Sequence, residues 1–191
     1  DQAERTFHVG GLFARLAHSA KLKATTVTVG KAWVRNDARI DLDAEGAHAN
    51  LDGAYLAFGR CHVDNHTHIS HNAPECTSRE CYKGVLGDRG HAVFHGRIVV
   101  QPNAQKTDSE QSNQNLLLSA DAQIDTKPQL EIYADDVKCA HGATVGQMDE
   151  AALFYLVSRG VDRETARRML TQAFAAEILE TVTPLALQSY L

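Results

Sequence analysis

Large side chains are scarce in this sequence: 6% of its 191 residues are aromatic, with one Trp and two Met. A sandwich core, which depends on bulky side chains from two facing sheets, would be thinly supplied. Long apolar runs are missing as well, and none approaches the ~20 residues that a membrane-spanning helix needs. Basic residues are not in surplus: 19 Lys and Arg stand against 24 Asp and Glu, for a net charge of −5. The cations are also scattered rather than striped, which argues against a general nucleic-acid binder. The opening residues Asp1-Gln2-Ala3-Glu4-Arg5 contain no apolar signal-peptide core and no initiator Met, and we read the chain as part of a longer protein.

Absent motifs narrow the chemistry further. There is no G-x-x-x-x-G-K-[ST] loop, so the chain does not itself hydrolyse ATP by that route. A G-x-S-x-G elbow and a G-x-G-x-x-G fingerprint are missing too. The four cysteines, Cys61, Cys76, Cys81 and Cys139, include no C-x-x-C pair. In a secreted protein they could form two disulfides, but nothing points to secretion, and free thiols in a reducing cytoplasm are expected.

What is present falls into two regions. From about residue 5 to residue 145, short alternating segments are separated by Gly, Asp and Asn. Thr25-Thr26-Val27-Thr28-Val29, Ala38-Arg39-Ile40-Asp41-Leu42 and Ala47-His48-Ala49-Asn50-Leu51 are examples. Period-two alternation of this length marks strands with one buried face. The one stretch with a trace of helical spacing is Gly11 to Ala20. Many strands without intervening helices leave a sandwich, a barrel or a β-solenoid. The solenoid is preferred, because small residues are common at strand positions and aromatics are few. Asn36, Asn50, Asn65, Asn72 and Asn115 are expected near turns, where amides satisfy backbone groups. Apolar centres near residues 27, 49, 68, 94 and 118 give a loose period of roughly 20–26 residues.

After residue 148 the spacing becomes helical. Asp149 can cap a helix bearing Glu150 and the apolar Leu153, Phe154, Leu156 and Val157, with Gly160 as its left-handed stop. Asp162 opens a second helix, in which Ala166, Met169, Leu170, Ala173, Phe174, Ile178 and Val182 recur at spacings of three and four before Pro184. The expected division is therefore a β-solenoid domain over 1–147 and a small helical subdomain over 148–191. The helices could cover a hydrophobic end of the solenoid, carry a partner, or both.

Three stretches carry possible chemistry. Cys61-His62-Val63-Asp64-Asn65-His66-Thr67-His68-Ile69-Ser70-His71 places His62, His66 and His68 on one face of a continuous strand. With Cys76 and Cys81 nearby, these are candidate zinc or iron ligands. The competing reading is polar outward residues on a solenoid strand. Asp135 to Thr144 contains Cys139 and His141, two apart and so on one side of a strand. An imidazole and Lys138 beside a thiol could hold it as thiolate for sulfur transfer or soft-metal ligation. A buried structural Cys beside a hydrogen-bonded His is the plainer alternative. The amide-rich run Ala104 to Leu118 is expected to form a turn between coils.

Several runs together resemble the SufB/SufD family of iron–sulfur cluster assembly proteins. They include Arg35-Asn36-Asp37, Leu51-Asp52-Gly53, Phe94-His95-Gly96 and Asn115-Leu116-Leu117-Leu118-Ser119. The most specific are Pro128-Gln129-Leu130-Glu131-Ile132 and Lys138-Cys139-Ala140-His141-Gly142-Ala143-Thr144, followed by Ser158-Arg159-Gly160 and Ala173-Phe174-Ala175-Ala176-Glu177. The segment around His141 is similar to the SufD branch, since Gly142 stands where the SufB branch has Glu. The resemblance implies a right-handed parallel β-helix followed by a small C-terminal helical subdomain. It also implies a non-enzymatic scaffold that pairs with SufB and docks the ATPase SufC on its helices, through residues such as Leu153, Phe154, Tyr155 and Phe174. A transient iron–sulfur cluster would form at the SufB–SufD interface, with His141 and Cys139 contributing, and no cofactor would be held tightly by the isolated chain.

Two other readings rest on the residues alone. One is a β-helix enzyme acting on polysaccharide, and the other is a stand-alone metalloprotein using His62, His66 and His68. Exposed sheet edges also pair, so the isolated chain is expected to form a homodimer. Sedimentation at high micromolar concentration should show a two-fold dimer, and only monomer there would count against it.

Overall fold

Every strand among the described residues is ten residues long, and after the first coil each lies in register on the strand one coil earlier. The computed structural model describes residues 6–30 and 32–180. The strands are β1 (Phe7–Leu16), β2 (Lys21–Gly30), β3 (Trp33–Leu42), β4 (His48–Ala57) and β5 (His62–His71). They continue with β6 (Thr77–Leu86), β7 (His91–Val100), β8 (Asp108–Leu117), β9 (Gln123–Ile132) and β10 (Lys138–Gln147). Odd strands form one parallel sheet in the order β1-β3-β5-β7-β9, and even strands form the other, β10-β8-β6-β4-β2. The result is a two-sided solenoid of about five coils, with helices α1 (Glu150–Ser158) and α2 (Arg163–Leu179) after it.

Two strands make one coil, which changes the period read from the sequence. A residue stacks on its counterpart 29 positions on in the middle coils, as Asn36 does on Asn65. The apparent spacing of 20–26 arose because apolar centres from both sheets were counted in one series. Gly11 to Leu16, despite its trace of helical spacing, belongs to β1.

The corners repeat as faithfully as the strands. Ser19, Gly46, Glu75 and Lys106 occupy equivalent turns, all with φ between 54° and 69°. Their amides donate along a ladder: Ser19 to Glu45 O, Gly46 to Pro74 O, Glu75 to Gln105 O and Lys106 to Asp136 O. Left-handed backbone is strained for residues with a Cβ, and the stacked hydrogen bonds hold three such residues in place.

Inside, side chains form columns. Ile40, Ile69, Ile98 and Leu130 stack through four coils, and the three isoleucines are fully buried. Each such residue contributes roughly 1.5–3 kcal/mol by leaving water. The shortage of aromatics is met by pairing large with absent side chains. Tyr82 lies over Gly53 and Tyr55 over Gly84, where an added Cβ would come within 2.2 Å and 2.3 Å of the rings.

The asparagines are mostly not turn residues. Of the five expected near turns, Asn36, Asn50, Asn65 and Asn115 lie within strands, and Asn72 alone sits at a corner. The amide-rich run likewise forms β8, with Gln111, Asn113 and Asn115 buried. Buried amides are tolerated because they find partners along the strand and on threonines of the facing sheet. Thr126 Oγ1 donates to Asn113 Oδ1 at 2.8 Å, Asn115 Nδ2 donates to the same oxygen at 2.7 Å, and Asn36 Nδ2 reaches Thr28 Oγ1 at 3.0 Å.

The helices cover a flank, not an end. α2 packs on β4 and β6, where it hides the outward Lys83, whose Nζ donates to Phe174 O at 3.2 Å. Asp149 and Asp162 are the N-caps, and Gly160 (φ 89°) closes α1 with Val161 N bonded to Leu156 O. Val182 and Pro184 lie outside the described residues.

Two buried ionisable groups set opposite pH dependences. Burial raises the Glu80 carboxyl to about 7, against a 2.6 Å hydrogen bond from Gln111 Nε2. Burial lowers His71 to about 4. Glu80 therefore takes up a proton in the folded state between pH 7 and 4.5, so its contribution is favourable at low pH and is lost as pH rises through 7. The His71 contribution is present above pH 6.5 and is lost as pH falls toward 4. The two offset one another over the window they share. Glu80→Gln should be more stable than the parent at pH 8, by up to about 3 kcal/mol. It should also lose stability more steeply between pH 6.5 and 4.5. Urea titrations across that range would show both effects.

Candidate functional site

β10 is an edge strand. It pairs with β8 on one side, and no strand lies on its other side among the described residues. Its inward row continues the columns beneath it, with Cys139 over Ser109 and Ser78, and His141 over Gln111 and Glu80. One step of a parallel sheet is about 4.8 Å, so both residues stand at the open end of a polar column leading into the core. His141 is exposed and Cys139 is half-buried. Along the strand they are separated by about 6.6 Å, with their side chains on the same face. Lys138 alternates to the other face.

Cys139 is not a thiolate. Burial pushes its pKa up, and the nearby Asp108 carboxylate pushes in the same direction. The only opposing influence is a backbone hydrogen bond from Ser109, and the activation expected from Lys138 and His141 is not seen. All four cysteines are free, as expected. At Gly142, an added Cβ would meet nothing within 4 Å, so lack of space does not explain the absence of a side chain there.

The histidines of β5 do share the outer face, and His71 points inward, where its Nε2 lies 2.9 Å from Ser78 Oγ. Spaced along one strand, His62 and His66 are about 13 Å apart. Each finds a different neighbour: His62 meets His91, His66 meets Asp64, and His68 Nε2 lies 2.9 Å from Ser70 Oγ. Burial, followed by nearby charges, lowers the pKa of His62 and of His68. Among the described residues, no three or more His, Cys, Asp or Glu side chains are grouped to hold a metal ion.

The helical residues divide. Leu153 is fully buried, and Phe174 is half-buried beneath Lys83, whose Nζ lies 5.1 Å from the ring centroid. Phe154 and Tyr155 are exposed, at 73% and 57%, alongside Val157 and Met169. These are exposed apolar side chains on the helical pair, with the Arg159 guanidinium 5.1 Å from the Tyr155 ring centroid. No helix among the described residues is long and apolar enough to cross a membrane.

Residues 1–174 match the family described as SUF system FeS cluster assembly, SufBD core domain. The chain belongs to the SufB/SufD family. It is 41% identical over 167 residues to the iron–sulfur cluster assembly protein SufD of Escherichia coli K12, covering 87% of this chain and 40% of that protein. A SufBD family protein of Synechocystis is 34% identical over 186 residues, covering 97% of this chain and 41% of its own length. The chloroplastic protein ABCI7 of Arabidopsis thaliana is 33% identical over 174 residues, covering 91% and 37%. The chain thus spans less than half the length of these curated relatives.

In this SufB/SufD family member the columns Ser78–Ser109–Cys139 and Glu80–Gln111–His141 escaped the sequence reading. Their members lie 30 or so residues apart, and only the coil register aligns them. Cys139 should alkylate with iodoacetamide more slowly than free cysteine at pH 7.5, with the rate rising above pH 9. Mass spectrometry of timed digests would measure this.

Proposed function

We propose that this chain is a scaffold subunit of the SUF iron–sulfur cluster assembly complex, acting in the cytoplasm without catalytic turnover of its own. The observation that carries this reading is the placement of Cys139 and His141 side by side on the inner face of a free edge strand. Two donors cannot complete the coordination of a cluster. An edge strand, however, presents unpaired N–H and C=O groups to a partner strand, and a related solenoid such as SufB can add both the strand and the missing ligands. The cluster is cargo in this scheme, assembled at the joint and passed on. His141 offers an imidazole nitrogen at the joint, and Cys139 becomes a sulfur ligand once a bound ion displaces its proton.

The exposed Phe154, Tyr155, Val157 and Met169 suit a docking face for the ATPase SufC, supported from beneath by Leu153 and Phe174. The same free edge lets two copies of the chain pair as a homodimer when SufB is absent.

The test is co-expression of this chain with SufB and SufC from the same organism, measuring iron and acid-labile sulfide in the purified complex. His141→Ala should leave the complex intact and lower its cluster content several-fold. Unchanged cluster would make His141 a structural residue, and failure to form any complex would sink the scaffold reading.

A further inference from the structure

We propose that His62 and His91, on the outer face of the odd-strand sheet, form a surface site for a divalent first-row transition ion held between their Nδ1 atoms. The two residues are register partners on β5 and β7, and their Nδ1 atoms face one another at 3.2 Å. Two nitrogens bound at ~2.0–2.1 Å to a tetrahedral ion lie ~3.3 Å apart. The pair already has the spacing of two ligands on one ion.

Both rings are held in that orientation. His91 Nε2 lies 2.8 Å from Asp125 Oδ2, and because a carboxylate only accepts, the proton sits on Nε2. Nδ1 is then the nitrogen available to a metal, in the carboxylate–histidine arrangement that commonly supports metal ligands. On the other side, the His62 ring lies parallel to the Trp33 indole, 7° apart in plane with centroids at 6.3 Å. The two imidazoles meet edge to face at 4.8 Å.

Without metal, an imidazole pair at this distance shares a proton in an N–H···N hydrogen bond. The ion takes the place of that proton, which passes through solvent to His62 Nε2, so both rings remain neutral. Two protein ligands leave the other coordination positions to water. Such a site exchanges its ion readily, which suits handing an ion on more than storing it.

The neighbouring groups favour a cation over an anion here. Arg35 is paired with Asp37 and Asp64, and Arg97 forms two hydrogen bonds to Glu131. His66 and His95 repeat the cross-strand pairing four residues along, with ring centroids 5.1 Å apart. His66 Nε2, however, is turned to Asp64 at 2.8 Å, which leaves that pair outside the site. The site is separate from Cys139 and His141, which belong to the inner face of the other sheet.

The test is titration of the full chain with Zn²⁺ against a chromophoric chelator. One ion should bind per chain with micromolar affinity, and His62→Gln and His91→Gln should each weaken binding at least tenfold. Asp125→Asn should weaken it less, and His48→Gln, on β4 of the other sheet, should leave it unchanged. Circular dichroism checks that the variants fold. In the parent protein, Zn²⁺ should protect His62 and His91 from diethylpyrocarbonate, read by peptide mapping. Absence of saturable binding, binding indifferent to both histidine variants, or protection elsewhere would overturn the proposal.

Discussion

Everything in this molecule rests on the hydrogen-bonded ladder between one coil and the next. Parallel strands of equal length lie in register from Phe7 to Gln147, and even the corners follow, with Ser19, Gly46, Glu75 and Lys106 each bonded to the coil beyond. A parallel ladder places like positions above like positions. The interior is therefore a set of columns, and each residue is judged by what lies about 4.8 Å above and below it. Neighbour-only contact of this kind makes stability a sum of coil terms and interfaces.

That constraint explains an interior that composition alone would disfavour. A core with Glu80, Gln111, Asn113 and Asn115 inside it would be expensive if those groups were scattered among aliphatic side chains. Stacked in adjacent columns, they bond one another, and Asn113 gathers donors from Asn115 and Thr126 across the two sheets. The same stacking lets the bulk of Tyr55 and Tyr82 fall over Gly84 and Gly53, so few aromatics are needed. Glu80 and His71 remain as groups whose charged forms the interior disfavours.

Much of this was legible in the sequence, for reasons that can be named. Alternation over four to eight residues marked the strands, small residues at strand positions favoured a solenoid, and Asp149, Gly160 and Asp162 marked the helical pair by their capping chemistry. What failed was information about register. Period-two alternation says which residues share a face, but not which sheet a strand joins, so two sheets were folded into one false period. Asparagine preference for turns was overridden at Asn36, Asn65 and Asn115 by hydrogen-bond partners one or two coils away. Cys139 and His141 were correctly placed on one side of a strand, whereas the burial that keeps Cys139 a thiol could not be read from its neighbours in sequence. The three β5 histidines share a face, yet geometry along a strand keeps them apart and joins His62 to His91 instead.

The open inner face of β10 has a consequence for the medium in which its residues act. Among the described residues the last coil has a floor of β8 side chains and no roof, so Cys139 and His141 stand at a boundary between protein and water. Whatever supplies the roof also sets the local dielectric, and ion–dipole interactions strengthen several-fold when water is replaced by protein. In the proposed complex the electrostatic character of this site would be a property of the assembly, absent from either half and created when the two surfaces close over it.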